Sequence, residues 1–278
     1  MGGKQAGKKP IGPFQETEWL KLGIPGFNDL LEEGIPKGIN ILVSGGPGTG
    51  KTIFCLQSLY HAAREGRDCL YITFEESPRK LQRHMQRFGW DTQVVEEKEG
   101  LLHLRAGGTE KGGSIFIRMV DPFRITRAVE GLVEKAAGRI SIEMKGIPDL
   151  IPANLSPYFI AIDSLSALES AFIHKPEGYR IYVEQIFRAF EKSGATTFLI
   201  TETEESPTRF SRSGIEEFLA DGVIVLYNTK VRGQRVQGIE ILKMRGVKHE
   251  RKIAPIQITA EGIKVFPRET IYGTDELK

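Results

Sequence analysis

Residues 45–52 read GGPGTGKT, and they stand between the apolar run INILVS at 39–44 and a segment of helical periodicity from Thr52 to Arg64. These eight residues satisfy the pattern G-x-x-x-x-G-K-[ST] at every defined position. An apolar β-type run before the pattern and a helix after it are the context that the pattern requires. The sequence therefore predicts a strand, a phosphate-binding loop and a helix, in that order.

The residue types of this loop suit a nucleotide. Glycine lacks Cβ, so the backbone can curl with its N–H groups pointing inward, and the following helix adds its positive N-terminal end. Lys51 supplies a mobile cation for the β and γ phosphates, and the Thr52 hydroxyl is a hard oxygen ligand for Mg²⁺. The predicted nucleotide-binding residues are Gly46, Pro47, Gly48, Thr49, Gly50, Lys51, Thr52 and Ile53. No base-reading motif separates ATP from GTP.

Apolar strands and amphipathic helices alternate on both sides of the loop. Further strands are predicted at Cys69–Phe74, Leu101–Leu104, Phe159–Asp163 and Ala195–Thr201, and further helices at Ser77–Phe88, Ile125–Ala137 and Gly178–Lys192. Ile24–Ile35 is predicted as a short helix, and Arg105–Ser114 as a glycine-rich loop. Because the strands are continuously apolar rather than alternating, they indicate a parallel sheet covered on both faces, and hence an α/β fold.

The chain changes character towards each end. The last third contains strands without intervening helices, at Gly222–Tyr227, Gln237–Met244, Ile256–Thr259 and Ile263–Phe266, which predicts an antiparallel β extension of the sheet. Residues 1–13 are predicted as a flexible basic tail, and 14–278 as one domain. Three prolines in Gly138–Pro157 indicate an irregular insertion.

Composition excludes several classes of protein. The chain has 278 residues, 40% of them hydrophobic, and a formal net charge of +2, which argues against a wholly disordered chain and a dedicated nucleic-acid binder. No apolar run approaches the roughly 20 residues that cross a bilayer, and no signal peptide is recognisable, so we expect a soluble cytoplasmic protein without a membrane partner. Cys55 and Cys69 are expected to be free thiols, and the histidines lack zinc-ligand spacing.

Acidic residues end two of the predicted strands. Ligands of parallel sheets lie beyond the carboxyl ends of the strands, so Asp163, which ends FIAID, is predicted to hold Mg²⁺ through water. Glu75 and Glu76 follow CLYITF, and paired acids beside a buried strand are costly unless a cation or a proton-accepting role needs them. We expect Glu75 to polarise the attacking water and Glu76 to assist. Thr201–Glu202 could sense the γ phosphate, although a plain strand end fits as well.

Several segments, in their order along the chain, resemble segments of a known protein family. Besides the loop they are LGIPGFNDLLEEGIPKG at 22–38, YITFEES at 71–77, FIAIDSLSAL at 159–168, GATTFLITE at 194–202, SGIEEFLADGVIVL at 213–226 and ILKMRGVKH at 241–249. With them the chain resembles, over about Leu22 to Pro267, the KaiC family within the RecA superfamily of P-loop ATPases.

The resemblance implies a RecA-like core that assembles as a ring, usually of six copies, with ATP and Mg²⁺ at the subunit interfaces and a regulatory or signalling ATPase activity. It matches Lys51 and Thr52 to the loop lysine and threonine, Asp163 to the metal-side aspartate, and Glu75 and Glu76 to the catalytic glutamates. It matches Lys243 and Arg245 to a pair that reaches the γ phosphate from a neighbouring subunit. The residues alone would equally fit solvated strand charges. The adenine is expected near Glu261–Ile263.

The sequence also departs from the family. Clock-type members carry two such domains in tandem, whereas this chain has room for one. Where the self-phosphorylating domain has an adjacent Ser-Thr pair, this chain offers separated hydroxyls at Ser206, Thr208, Ser211 and Ser213, so autokinase activity stays open.

Two other functions stay open from the residues. One is a recombinase-like DNA-binding ATPase, suggested by the basic residues Arg79, Lys80, Arg83, His84 and Arg87 and by a second group, Arg245, Lys248, His249, Arg251 and Lys252. The other is a scaffold that assembles when it binds ATP and hydrolyses almost none. The net charge of +2 makes nucleic acid the less favoured partner.

Overall fold

The computed structural model describes residues 18–107, 112–135, 150–172, 176–204, 209–231 and 233–271. The strands are β1 Trp19–Leu20, β2 Ile35–Pro36, β3 Asn40–Gly45, β4 Cys69–Thr73, β5 Thr92–Lys98, β6 Leu101–Ala106, β7 Ser114–Met119, β8 Phe159–Asp163, β9 Thr196–Glu202, β10 Gly222–Val231, β11 Gln234–Met244, β12 Ala254–Thr259 and β13 Gly262–Val265. The helices are α1 Lys51–Arg64, α2 Pro78–Arg87, α3 Pro122–Lys135, α4 Leu165–Ala171, α5 Pro176–Ser193 and α6 Glu216–Leu219. The predicted tail, residues 138–149 of the predicted insertion, the last two residues of the helix predicted at Ile125–Ala137, Ser206 and Thr208 lie outside the described residues.

Six parallel strands form the centre of the sheet. Within the described chain the sheet has eleven strands in the order β13-β12-β11-β10-β3-β9-β8-β4-β7-β6-β5. The pairs from β10 to β7 are parallel, and β3, β4, β8 and β9 among these strands are continuously buried. β7 alternates between buried and more exposed residues and was not predicted, and β10, which was predicted within the antiparallel extension, pairs parallel with β3. The predicted α/β fold with a mostly parallel sheet is therefore confirmed.

Both edges of the sheet are antiparallel. β11, β12 and β13 continue from β10 as the predicted C-terminal extension. At the other edge β6 pairs antiparallel with β7, and β5 pairs antiparallel with β6, which the sequence did not predict. The predicted strand at Leu101 continues to Ala106, and β7 begins at Ser114, where the predicted glycine-rich loop ends. β5 escaped prediction because all its residues after Thr92 are exposed, so it has no buried periodicity.

The helix predicted at Ile24–Ile35 is wrong. This segment contains one 3-10 turn at Asn28–Leu30, and its last residue belongs to β2, which pairs with β1. Gly26 and Gly34 have φ values of +79° and +124°, which a right-handed helix does not allow. The apolar spacing that suggested a helix instead buries irregular backbone against the core.

Helices cover both faces of the sheet. Ile41 and Val43 of β3 pack in one hydrophobic cluster with α1 and α2, whereas Leu42 packs in a second cluster with α3, α4 and α5. The alternation follows from the period of two along a strand. α4 begins just after Asp163 and was not predicted, and the Ser164 side chain caps it by accepting a hydrogen bond from the Ala167 N–H. Because the central strands are parallel, their carboxyl ends all lie at the same edge of the sheet.

Candidate nucleotide-binding site

The glycine-rich loop links β3 to α1 as the sequence predicted. Gly48 and Gly50 have φ values of +73° and +98°, which glycine adopts readily and other residues rarely adopt. A Cβ at Gly50 would lie 3.2 Å from the Cδ1 of Ile258, so the loop also needs glycine for close packing. The loop therefore keeps its main-chain N–H groups free of side-chain cover, which is what a phosphate cradle requires.

The side chain of Lys51 folds back against the glycine-rich loop. Its side chain is only 8% exposed, and its Nζ donates to the carbonyl oxygens of Gly45 and Gly46 at 2.9 and 2.8 Å. Burial lowers the pKa of this ammonium, and the carboxylates of Glu202 and Asp163 oppose that shift. A partly desolvated cation with neutral partners is well placed to exchange them for phosphate oxygens.

Thr52 and Asp163 meet across the sheet edge. The Thr52 hydroxyl donates to Asp163 Oδ2 at 2.8 Å, and the hydroxyl of Tyr71 donates to the same oxygen at 2.6 Å. Burial raises the pKa of Asp163, while both hydrogen bonds favour its ionised form. A hydroxyl oxygen beside a carboxylate is the hard donor set that Mg²⁺ prefers, so these residues fit the predicted metal.

Tyr71 is a part of this site that sequence reasoning missed. It lies inside β4, next to β8, and it is fully buried. The signal was a tyrosine in the middle of an otherwise apolar strand, because a buried phenol normally needs a hydrogen-bond partner. Its hydrogen bond to Oδ2 fixes the orientation of the Asp163 carboxylate.

The loop opens into a cleft of about 490 Å³. Its polar wall includes Lys51, Thr52, Glu75, Asp163 and Glu202, and its apolar wall is formed by Ile53, Leu56, Phe88 and Ile258. A cleft with a polar wall for phosphate groups and an apolar wall for a base suits a nucleotide.

Glu261–Ile263, the residues expected near the adenine, are held by contacts with Gln57 and Trp90. Gln57 hydrogen-bonds both the N–H and the carbonyl of Ile263, and Trp90 donates to the Glu261 carbonyl at 2.9 Å. These contacts pin the β12–β13 turn against α1, and the three residues are not among those lining the cleft. Ile258, on the same hairpin, lines it instead.

The two adjacent glutamates have different surroundings. Glu76 Oε1 accepts a hydrogen bond from Lys80 Nζ at 2.8 Å, and its Oε2 lies 3.7 Å from His84 Nδ1. Glu75 is exposed at the margin of the cleft, and no side chain of the described residues hydrogen-bonds its carboxylate. Partial burial raises the pKa of Glu75, as do the carboxylates of Asp163 and Glu202. Glu75 is the acid of the pair that is available to a water molecule.

Lys243 and Arg245 lie away from this cleft. The Lys243 ammonium donates to the carbonyl oxygens of Ala220 and Glu217 at 2.6 and 3.2 Å, and Arg245 pairs with Asp221 at 3.0 Å. Gly222 pairs with both Met244 of β11 and Ile41 of β3, so these cations stand beside the amino end of β3. The loop leaves the carboxyl end of that strand, and the structure does not bring the two groups together within one chain.

The two candidates at the end of β9, Thr201 and Glu202, have different surroundings. Glu202 lines the cleft, whereas Thr201 is buried and its hydroxyl lies 3.3 Å from that of Ser166. Ser211 is buried, and the Ser213 hydroxyl donates to the buried carboxylate of Glu216.

Three further expectations concern thiols, metal sites and membranes. Cys55 and Cys69 are buried free thiols, as predicted. Within the described ranges, no group of three or more His, Cys, Asp or Glu side chains could hold a metal ion. None of the helices that the structure describes is long and apolar enough to cross a membrane.

This loop, at the carboxyl edge of a parallel sheet with an aspartate on a neighbouring strand, defines an ATP-binding protein of the RecA-like α/β class. A family model described as the KaiC ATPase matches residues 20–270, so the chain belongs to the KaiC family.

Known proteins resemble the chain over most of its length. A UPF0273 protein of Aeropyrum pernix is 33% identical over 252 residues, which cover 91% of this chain and 95% of the relative. The circadian clock oscillator protein KaiC of Parasynechococcus marenigrum is 30% identical over 260 residues, covering 91% of this chain but 45% of the relative. The chain thus spans about half of that protein. The crystal structure of a KaiC-like protein from Pyrococcus horikoshii has a TM-score of 0.66 and 32% identity, and the match covers 90% of this chain and 100% of that one.

Proposed function

We propose that the protein hydrolyses ATP with Mg²⁺ at an interface between two copies of the chain, within a ring, usually of six copies, that has a regulatory role. The observation that carries the hydrolytic part is the free carboxylate of Glu75, which faces the same cleft as Lys51, Thr52 and Asp163. The clock name of the cyanobacterial relative supports a regulatory role over a metabolic one.

Each residue of the cleft has a distinct task in this proposal. The loop amides and Lys51 bind the β and γ phosphates, and Thr52 and Asp163 hold the metal, which when bound would neutralise phosphate charge. Glu75 accepts a proton from the attacking water, because its raised pKa makes it a better base than an ordinary glutamate. Glu76, tied to Lys80 and near His84, positions the turn that carries Glu75.

The cleft of one chain is lined by the cations Lys51 and Arg87, and we infer that the γ phosphate needs a further one. Lys51 is the lysine of the loop, and the two cations that the family resemblance assigns to the γ phosphate lie beside the opposite end of β3. Arg245 is exposed there and could be presented to another molecule. A second copy that docks its Lys243 and Arg245 against the cleft would complete the site, which is why we propose assembly and turnover together.

The DNA-binding alternative gains little from the surface of α2. Arg79 forms an ion pair with Glu97, and Lys80 with Glu76, so two cations of that cluster are already neutralised. The second basic group includes Arg245 and Lys248, which pair with Asp221 and Glu32. Ion pairs within the described residues thus neutralise part of each cluster, which weakens its attraction for a phosphate backbone.

The decisive experiment compares Glu75→Gln with Glu76→Gln. Phosphate release and ATP affinity are measured for both variants and the parental protein with magnesium. We expect Glu75→Gln to lower turnover by about 10²- to 10⁴-fold with ATP affinity retained, because it removes only the proton acceptor. Glu76→Gln should cost less. Equal turnover in Glu75→Gln and the parent would remove Glu75 as the base, and ATP binding without any phosphate release by the parent would favour the scaffold.

A further inference from the structure

A second cleft adjoins the nucleotide cleft at the same edge of the sheet. Its volume is about 560 Å³, and Pro47 of the loop and Glu202 of β9 line both clefts. Its remaining lining residues are Thr203, Glu204, Arg209, Ser211 and Arg212. This segment also carries the separated hydroxyls that leave autokinase activity open, and the proposed hydrolysis uses none of these five residues.

Two residues that line this cleft carry a hydroxyl with no hydrogen-bond partner among the described residues. Ser211 is 2% exposed, and its Oγ is buried without a hydrogen bond to any described residue. Thr203 Oγ1 is in the same condition within the described part of the chain. Buried polar atoms are hydrogen-bonded in the great majority of cases. Two unpaired hydroxyls on residues that line one cleft therefore indicate a ligand that would accept hydrogen bonds from them.

Two guanidinium groups supply positive charge beside these hydroxyls. Arg212 spends one nitrogen, Nη2, on Glu202 Oε2 at 3.3 Å, and its other nitrogens make no hydrogen bond to a described residue. Arg209 is exposed and has no ion pair among the described residues. Arginine presents its donors in a planar fork that matches the oxygens of phosphate, and hydroxyl donors complete the coordination of such an anion.

The place of this cleft relates it to the reaction. Glu202 is the shared wall, and it also lies close enough to Glu75 for its carboxylate to help raise that residue's pKa. Arg212 acts on Glu75 in the opposite sense, so its charge is felt where the attacking water would stand. A group leaving the γ position on the side of Pro47 and Glu202 would enter the second cleft directly.

We propose that the second cleft is an oxyanion subsite that takes up the inorganic phosphate released by hydrolysis. The inference rests on the proposed ATPase function. In that reaction the water oxygen bonds to the γ phosphorus, the bond from that phosphorus to the bridging oxygen breaks, and Glu75 takes the water proton. Phosphate then exchanges into contact with Ser211, Thr203 and the two arginines, while ADP stays in the first cleft.

The test is a calorimetric titration of inorganic phosphate into the full chain saturated with ADP and magnesium. We expect saturable binding that Ser211→Ala and Arg212→Gln each weaken by about tenfold, since each removes one donor to a charged group. Glu204→Gln should tighten it about two- to threefold, because a competing negative charge is lost. Arg180→Gln, which removes an arginine from α5, should leave phosphate binding unchanged.

The outcomes separate this inference from the proposed function. If phosphate fails to bind while ADP binds, or binds equally to the parent, Ser211→Ala and Arg212→Gln, the subsite is wrong and the ATPase proposal stands. If the parental protein fails to bind ADP, the ATPase proposal is wrong. Phosphate binding to the free protein that stays sensitive to Ser211→Ala would then support an anion site of another origin and overturn the subsite as a product site. Arg212→Lys, which keeps the charge, guards against a folding defect and should bind phosphate better than Arg212→Gln.

Discussion

The two ends of strand β3 carry different chemistry. At the carboxyl end, Gly45 pairs with Glu202 of β9 and leads into the phosphate loop. At the amino end, Ile41 pairs with Gly222, which pairs in turn with Met244 between the cations Lys243 and Arg245. Gly45 lies four positions after Ile41, which corresponds to about 13 Å of strand.

The two ends also present their cations differently. Lys51 is 8% exposed and bonded to carbonyl oxygens of its own loop. The Arg245 side chain is 57% exposed, and its ion pair with Asp221 is open to solvent. The first end is a formed binding site, whereas the second offers charge to another molecule. In the proposed function, a single chain therefore carries the loop and the cations of the site at opposite ends of the same strand.

The largest effect that would sharpen this comparison comes from Arg245→Ala. We expect turnover to fall by about 10³-fold, because a cation supplied in trans to the γ phosphate is worth at least that much. ADP affinity should stay within about twofold, since Arg245 lies outside its own chain's cleft. Steady-state phosphate release and ADP calorimetry measure the two effects. A matching loss of ADP affinity would contradict the separation.

Lys51→Ala tests the formed end. We expect ATP and ADP affinity to fall by about 100-fold or more, because charge-assisted hydrogen bonds to the phosphates are lost. Lys192→Ala, at the exposed end of α5, is the control and should bind nucleotide normally. Fluorescent-nucleotide titration gives both constants. Unchanged ADP binding in Lys51→Ala would show that the nucleotide lies elsewhere.

Gly48 lies near the carboxyl end of β3 and Gly246 near its amino end, so an alanine at each position introduces a similar backbone strain at each end. Gly48 and Gly246 have φ values of +73° and +72°, and a Cβ at either would meet no heavy atom within 4 Å. Alanine at each position should therefore cost about 1–2 kcal/mol of backbone strain. We expect only Gly48→Ala to weaken ADP binding, by about tenfold. Calorimetry decides, and equal weakening by both variants would break the comparison.

The smallest effect concerns α4, behind the carboxyl end. Burial and the Glu216 carboxylate raise the pKa of Glu169 to about 7, above its ordinary value. The folded chain thus binds this proton more tightly than the unfolded chain, so stability is lost as the pH rises through about 7. Glu169→Gln should raise the Tm at pH 8 by about 2–4 °C, allowing about 1 kcal/mol for a half-buried group.

At pH 5 the same substitution should change the Tm little, because Glu169 is then mostly protonated in the folded chain. Thermal unfolding followed by circular dichroism at the two pH values gives the difference. An equal shift at both would mean that the substitution acts through packing and not through the ionised carboxylate.

Local patterns in the sequence were sufficient to predict the first end of β3. The loop glycines, the apolar run before them and the strand-ending acids Glu75 and Asp163 each express a local rule about backbone or burial. The parallel strands β3, β4, β8 and β9 were predictable for the same reason, because continuous apolar runs of this length fit few other structures. β7 was missed, since its burial alternates, and the parallel pairing of β10 with β3 was not predicted.

The missed features depend on contacts between distant parts of the chain. The bond from Tyr71 to Asp163 joins residues 92 positions apart and exists only because β4 pairs with β8. The second cleft depends on where Thr203, Glu204 and residues 209–212 lie relative to the loop. The exposed edge strand β5 has no buried face, so its sequence carries no strand period.

The central claim is that one chain's loop works with another chain's cations, and a mixing experiment tests it most directly. Lys51→Ala and Arg245→Ala proteins, each inactive alone, are mixed in equal amounts with Mg-ATP, and phosphate release is measured. Interfaces that join the intact loop of one variant to the intact Arg245 of the other should restore activity to about one quarter of the parental rate, if the copies pair at random. Mixed protein that stays as inactive as either variant alone, while still assembling, would contradict the account.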